Sequence, residues 1–175
     1  MTKKIIITII CALLLVNLSL AQNGLKIISS KISFKIKNAG LSVDGTFSGF
    51  EGEINFIPEQ YKTATIKASI NTNTINTGIN ARDKHLKKEE FFDVNKFPKI
   101  AMVSSFFGKD GNNFLGYFKL TIKGITKDVK IPFTFENNIL KGDFTLNRLD
   151  YNIGRKSFMM NDNVSISIVL NTIKN

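Results

Sequence analysis

From Gln22 onward the chain alternates apolar and polar residues with a period of two. Ile32, Phe34 and Ile36 are separated by Ser33 and Lys35, and Ala64, Ile66, Ala68 and Ile70 alternate with Thr65, Lys67 and Ser69. Phe114, Gly116, Phe118, Leu120 and Ile122 alternate with Leu115, Tyr117, Lys119 and Thr121. Val129, Ile131, Phe133 and Phe135 alternate with Lys130, Pro132 and Thr134. Leu140, Phe144 and Leu146 share a parity, as do Val164, Ile166, Ile168 and Leu170, and shorter runs occupy 43–47, 54–56 and 100–106. A period of two sends neighbouring side chains to opposite faces of a strand. One face is therefore apolar, and the other carries mostly Lys, Ser and Thr. Turn residues punctuate the runs at Asn38-Ala39-Gly40, Gly49 to Gly52, Asp110-Gly111-Asn112, Lys123-Gly124 and Asn137-Asn138. The pattern predicts eight or nine antiparallel strands with short connections, not β-α-β units. Such strands close into a barrel or stack as a sandwich.

Two stretches break the alternation. Thr77 to Lys88 has helical composition, with Asn76 or Thr77 placed to cap its start. It leads into Phe91, Phe92, Val94 and Phe97, an apolar cluster that reads as a lid or plug, or as a seal on one barrel end. Arg148 to Asn163 is the second, holding Tyr151, Arg155, Phe158 and the adjacent pair Met159 and Met160. An adjacent Met pair usually fills core gaps; beside a pocket mouth it could touch a flexible ligand.

The first residues follow a different rule. Lys3 and Lys4 precede a run, Ile5 to Val16, that is apolar apart from Thr8 and Cys11; Ser19-Leu20-Ala21 then places small residues before polar Gln22. This is the three-part pattern of a cleavable secretory signal over residues 1–21, too short to favour a retained membrane anchor. Residues 22–175 then form one domain, exported to the periplasm or secreted. Cleavage would remove two lysines and the only cysteine, lowering the formal charge from +10 to +8. Without a cysteine, the remaining domain can use neither thiol catalysis nor disulfides.

Composition narrows the function. Hydrophobic residues make up 43% and charged residues 22%, so wholesale disorder is not expected. One His and one Cys argue against zinc ribbons and most metal cages, and neither metal nor cofactor is expected. His85 lies beside Asp83, but no nucleophile-elbow pattern accompanies them, and Gly45, Gly49 and Gly52 have the wrong spacing for a dinucleotide loop. The reading is therefore not an enzyme. Lysines are scattered over the outer strand faces, which fits a solvated surface with at most peripheral contact with anionic membranes, and not a nucleic-acid partner. The same Lys-rich face argues against an outer-membrane barrel, whose outside must be apolar.

Fifteen Phe against three Tyr and no Trp weight the apolar face. Its inward set runs Phe34, Ile36, Phe47, Ile54, Phe56, Ile66, Ile70, Met102, Phe118, Leu120, Ile131, Phe133, Phe135, Phe144, Leu146, Ile166, Ile168 and Leu170. A small barrel can fill its interior with such side chains or leave room for one ligand, and periodicity alone does not choose. A hollow interior of this kind would suit only apolar material such as an acyl, prenyl or quinone tail. A filled one would leave a stress-protective structural module with a protein partner at its surface.

Several ordered motifs resemble the YceI-like family, the bacterial polyisoprenoid-binding or lipid-binding proteins. Ser30-Lys31-Ile32-Ser33-Phe34-Lys35-Ile36 looks like that family's opening strand, and Gly45-Thr46-Phe47 with Phe50-Glu51-Gly52 like its next pair. Thr77-Gly78, Arg82-Asp83-Lys84-His85-Leu86, Phe91-Phe92-Asp93-Val94 and Phe97-Pro98 form the most specific stretch. Leu120 to Lys127 and Arg148-Leu149-Asp150-Tyr151-Asn152-Ile153-Gly154 follow in order. The resemblance implies an all-β fold: a lipocalin-like, elongated eight-stranded antiparallel barrel with one short helix. It also implies an amphiphilic lipid in the barrel for transport, storage or sequestration: a polyisoprenoid, an isoprenoid quinone or a fatty amide. Several members of that family form dimers, so a homodimer belongs to the same expectation. On this reading Phe34, Phe47, Phe56, Phe118, Phe133, Phe135 and Phe144 contact the tail, and Arg82, His85 and Arg148 the head group near the mouth. Asp83 orients Arg82 or caps local backbone. Asn38 departs from the family pattern, standing where many members carry a His after the first strand.

Overall fold

A computed structural model describes residues 24–174. The proposed signal segment, residues 1–21, lies outside the described residues. Nine antiparallel strand segments form one sheet that closes on itself. They are β1 (Gly24–Asn38), β2 (Leu41–Phe47), β3 (Glu51–Asn55), β4 (Thr65–Asn71), β5 (Lys99–Asp110), β6 (Asn113–Ile122), β7 (Ile125–Glu136), β8 (Ile139–Asn147) and β9 (Asn163–Lys174).

Closure comes from the long first strand. One edge of β1 pairs with β9 from Leu25 to Lys35. Its other edge is shared: β2 takes Ile32 to Asn38, and β3 takes Gly24 and Leu25. β2 and β3 thus occupy one place in the ring, and nine segments make an eight-stranded barrel. Hairpin turns join most neighbours. Ala39 and Gly40, with φ of 50° and 79°, link β1 to β2; Lys123 and Gly124, at 51° and 76°, link β6 to β7. Two consecutive positive φ values give the turn whose twist matches the flanking strands.

The predicted parity holds along most strands, and Lys31, Lys35, Lys67, Lys119, Lys130 and Lys141 are exposed on the outer face. In β5 it fails. A bulge between Ser104 and Phe106 shifts the register, so Phe107 turns inward at 5% exposure. Phe106, 55% exposed, stacks on Tyr117 outside with ring centroids 4.0 Å apart. One extra residue reverses every face beyond it. Inward glycines make room for rings: a Cβ on Gly45 would lie 2.2 Å from Phe34 Cζ.

One short helix, α1 (Asn80–Leu86), lies within the predicted 77–88 segment. The expected cap is different. Ile79 is the N-cap residue and offers no side-chain bond. The carboxylate of Asp83 instead accepts from the Thr77 amide (2.9 Å) and the Thr77 hydroxyl (2.5 Å), while Asn76 Oδ1 accepts from the Gly78 amide. The long excursion between β4 and β5 is pinned at its base. Buried Thr72 donates its hydroxyl to the Phe97 carbonyl (2.8 Å) and its amide to the Pro98 carbonyl (2.9 Å).

Candidate functional site

The two barrel ends differ. At the closed end Phe56 is 1% exposed and sits among the rings of Phe114, Phe133, Phe135 and Phe107, at centroid distances of 5.0, 5.3, 5.5 and 6.0 Å. Tyr61, from a 3-10 turn over Pro58–Thr63, packs on Phe114. Edge-to-face contacts of this kind add to the burial energy of each ring. This end is a packed floor.

Above it the interior holds a row of three small cavities. A cavity of about 40 Å³ adjoins the floor, walled by Ile54, Phe118, Phe133 and Leu140. A second, of about 90 Å³, shares Phe50, Ala68, Met102 and Ile168 with it. A third, of about 140 Å³, shares Phe34, Phe47, Ile100, Ile122, Leu146 and Ile166 with the second. It lies beneath the mouth, where Leu86, Phe91 and Phe92 from the helical excursion meet Tyr151, Ile153 and Met160 from the segment before β9. The walls of all three are almost wholly apolar, and dry apolar cavities of this kind accept apolar ligands. A larger concavity, about 830 Å³, is walled by Lys31, Lys35, Asp44 and Asp143 together with Phe34, Phe144 and Ile166. It is open to solvent, so an apolar chain laid there would stay wet on one side and strip water from the flanking charges on the other.

The predicted tail contacts divide by depth. Phe34, Phe47 and Phe144 line the upper cavities, and Phe118 and Phe133 the lowest. Phe56 and Phe135 belong to the packed floor and line none of the three. Phe91 and Phe92 do two jobs at once: they line the mouth cavity and pack against buried Leu120, Ile122, Tyr151 and Ile153. Of the Met pair, Met160 lines the cavity while Met159 is 64% exposed beside fully exposed Phe158.

The predicted head-group residues have three different surroundings. Arg82 lines the mouth cavity; its Nε donates to Thr77 Oγ1 and its Nη2 to the Thr77 carbonyl, each at 2.7 Å. Since Thr77 also donates to Asp83, the carboxylate orients Arg82 through that threonine. His85 sits outside the lining, half-exposed, with Nε2 3.0 Å from Glu90 Oε1. Arg148 lines the cavity but is 2% exposed and heavily engaged. It donates to the carbonyls of Ile153 (2.8 Å), Asn161 (2.9 Å) and Met160 (3.4 Å) and pairs with Asp162 at 3.0 Å. These bonds tie the segment before β9 into a bridge over the mouth.

Tyr151 is the residue that periodicity missed. It lies in a 3-10 turn, where no alternation announces its facing. It is 2% exposed and lines the mouth cavity, and its hydroxyl is buried without a hydrogen-bond partner among the described residues. Burial, aided by the nearby Asp150 charge, pushes the phenol up to about 12 from its usual 10. The folded state therefore holds this proton over a range where the unfolded chain releases it. Stability is unaffected below about pH 10 and falls between about pH 10 and 12, by on the order of 2–3 kcal/mol. Urea titrations of wild type and Tyr151→Phe across that range should show a steeper loss in the wild type. Parallel curves would contradict the assignment.

Comparison with known proteins places this geometry. The YceI-like domain family matches residues 26–172. A UPF0312 protein of Pectobacterium carotovorum is 37% identical over 101 residues, covering 57% of this chain and 53% of that protein. Protein YceI of Salmonella arizonae is 35% identical over 114 residues, covering 64% of this chain and 58% of that protein. The chain thus spans a little over half the length of these relatives. Among solved structures, BcnA of Burkholderia cenocepacia superposes with a TM-score of 0.77 at 25% identity, covering 81% of this chain and 94% of that one. A polyisoprenoid binding domain from Saccharophagus degradans superposes at 0.62 with 14% identity, covering 87% and 98%, a likeness of fold.

Proposed function

The chain belongs to the YceI-like domain family, and from that premise we propose that it holds the apolar tail of an amphiphilic lipid inside its barrel. The observation that carries this reading is the row of three wall-sharing apolar cavities between a packed Phe floor and the mouth. Such a space suits a long, thin, flexible chain better than a compact ligand. The polar group then rests near Arg82 and Tyr151. A domain of this fold is described as polyisoprenoid-binding, which supports an isoprenoid-type tail. The action is non-catalytic carriage or sequestration. The three-part N-terminal segment supports export, to the periplasm or beyond.

Ala68 offers the direct test, because it lines both the lower and the middle cavity. Ala68→Phe should fill the passage between them. Uptake of a polyprenol from a detergent-free dispersion, read by solvent extraction and mass spectrometry, should fall at least about tenfold. Unfolding free energy should change by no more than about 1–3 kcal/mol, the range for inserting bulk into a core. Undiminished uptake would count against tail binding in the barrel.

A further inference from the structure

Resting on that reading, we propose that the rim of the mouth docks on an anionic lipid bilayer and receives the ligand tail directly from the membrane. Phe158 and Met159 enter the headgroup layer, and Lys37, Arg155 and Lys156 face the lipid phosphates. The starting observation is a group of bare apolar side chains at the rim. Phe158 is fully exposed, and Met159 and Leu41 are largely so. Backbone bonds hold their segments together. The Ala39 amide donates to the Met159 carbonyl at 2.7 Å, Asn38 bridges to Met160, and Leu41 pairs with Asn38 across the β1–β2 turn. Asn38 and Met160 both line the mouth cavity. One short segment therefore joins an outward apolar tip to the inner wall. Single exposed apolar residues are ordinary, but neighbours ringed by polar residues mark an interaction surface.

Charge decides what covers this rim. From Asn152 to Asn161, and from Lys37 to Ser42, the chain carries no carboxylate. Lys37, Arg155 and Lys156 are exposed, and none makes an ion pair among the described residues. Glu90, whose carbonyl accepts from the Gly154 amide, pairs its own carboxylate with His85. The rim is therefore cationic around an apolar centre, the arrangement that binds the surface of an anionic bilayer. A second copy of this chain fits less well, because a two-fold contact through the rim would set these cations against the same cations of the other copy. A bilayer also suits the ligand. A tail leaving the acyl layer beside Met160 enters the cavity without crossing water, where its whole apolar surface would be exposed.

The chain has no Trp, so a single Trp placed by substitution reports its own surroundings. With vesicles of phosphatidylglycerol and phosphatidylcholine, Phe158→Trp emission should shift to the blue and be quenched by lipids brominated on the acyl chain. Phe106→Trp, on the outer wall against Tyr117, should show neither effect. In sedimentation with the same vesicles, Phe158→Asp should bind at least about tenfold more weakly than wild type, the worth of one buried ring. Arg155→Ala combined with Lys156→Ala should weaken binding roughly thirtyfold, the worth of two cations at an anionic surface. High salt should release the wild type. These residues are exposed, so the midpoint of thermal unfolding and the uptake of dispersed polyprenol should stay as in wild type, while uptake from vesicles falls with docking. An unshifted Phe158→Trp, or vesicle binding that ignores the two cations, would overturn the proposal. So would a dimer in solution that Phe158→Asp converts to monomer. Wild type that takes up dispersed polyprenol but leaves vesicles unbound would overturn docking alone. Wild type that docks yet takes up polyprenol from neither source would support docking and overturn the tail reading.

Discussion

Phe56→Ala should lower the unfolding free energy by about 3–5 kcal/mol, the usual range for emptying a buried aromatic site. Phe56 is 1% exposed and touches four other rings at the closed end. Those rings rise from strands β5, β6 and β7, which are hydrogen-bonded to one another and cannot collapse inward to close the gap. Phe47→Ala should behave differently. Phe47 is only half-buried and already borders two cavities, so its truncation removes fewer contacts. Its effect should fall on lipid uptake more than on stability. Denaturant titrations of the two variants check the contrast. Equal losses would mean that the floor and the cavity walls are packed alike, against the division described above.

Arg148→Met is expected to have an effect of similar size, through a different mechanism. The substitution keeps much of the apolar bulk but removes the fork. Asp162 then loses its partner, and the carbonyls of Ile153, Asn161 and Met160 lose a donor. Removing one member of a buried pair costs about 3–5 kcal/mol. Asp162 is partly exposed, which favours the lower end. The midpoint of thermal unfolding should drop by about 10 °C for a domain of this size. Limited proteolysis should cut between residues 152 and 161 before the barrel unfolds. Lys at this position should rescue little, because an ammonium cannot serve several carbonyls in a planar fork. An Arg148 acting only on a lipid head group would show the reverse: unchanged stability and lost binding.

These two residues also show what can be read from a linear pattern. Alternation reports which face of a strand a residue occupies. It placed Phe34, Phe47, Phe56, Phe133 and Phe144 inside correctly, and with the turn signals it gave antiparallel strands that could close or stack; the resemblance pointed to the barrel, and the sheet does close. Alternation carries no coordinate along the barrel axis. That coordinate depends on strand stagger and on how β2 and β3 share the edge of β1. The seven predicted tail contacts therefore looked equivalent, yet Phe56 and Phe135 belong to the floor. The bulge in β5 was equally silent, so the exchange of Phe106 for Phe107 could not be anticipated.

The mouth was legible by motif more than by pattern. The stretch Arg82-Asp83 announced itself as a charged pair in the most specific segment of the resemblance, and the structure inserts Thr77 between the two. Arg148 was visible as a charged residue at the start of an irregular segment, but its saturation by loop carbonyls and the Asp162 carboxylate depends on contacts up to 14 residues away. Tyr151 stood in a motif of the resemblance, but its burial gave no signal, because a buried hydroxyl is recognised only by its missing partner.

The central claim is that the barrel is hollow above its Phe floor and that a lipid tail occupies the space. Native mass spectrometry of the protein purified without detergent, followed by solvent extraction, tests it most directly. The account predicts one bound lipid per chain, with a long apolar tail and a mass that names its class. Protein that carries no lipid and takes up neither polyprenol nor prenylated quinone would contradict it.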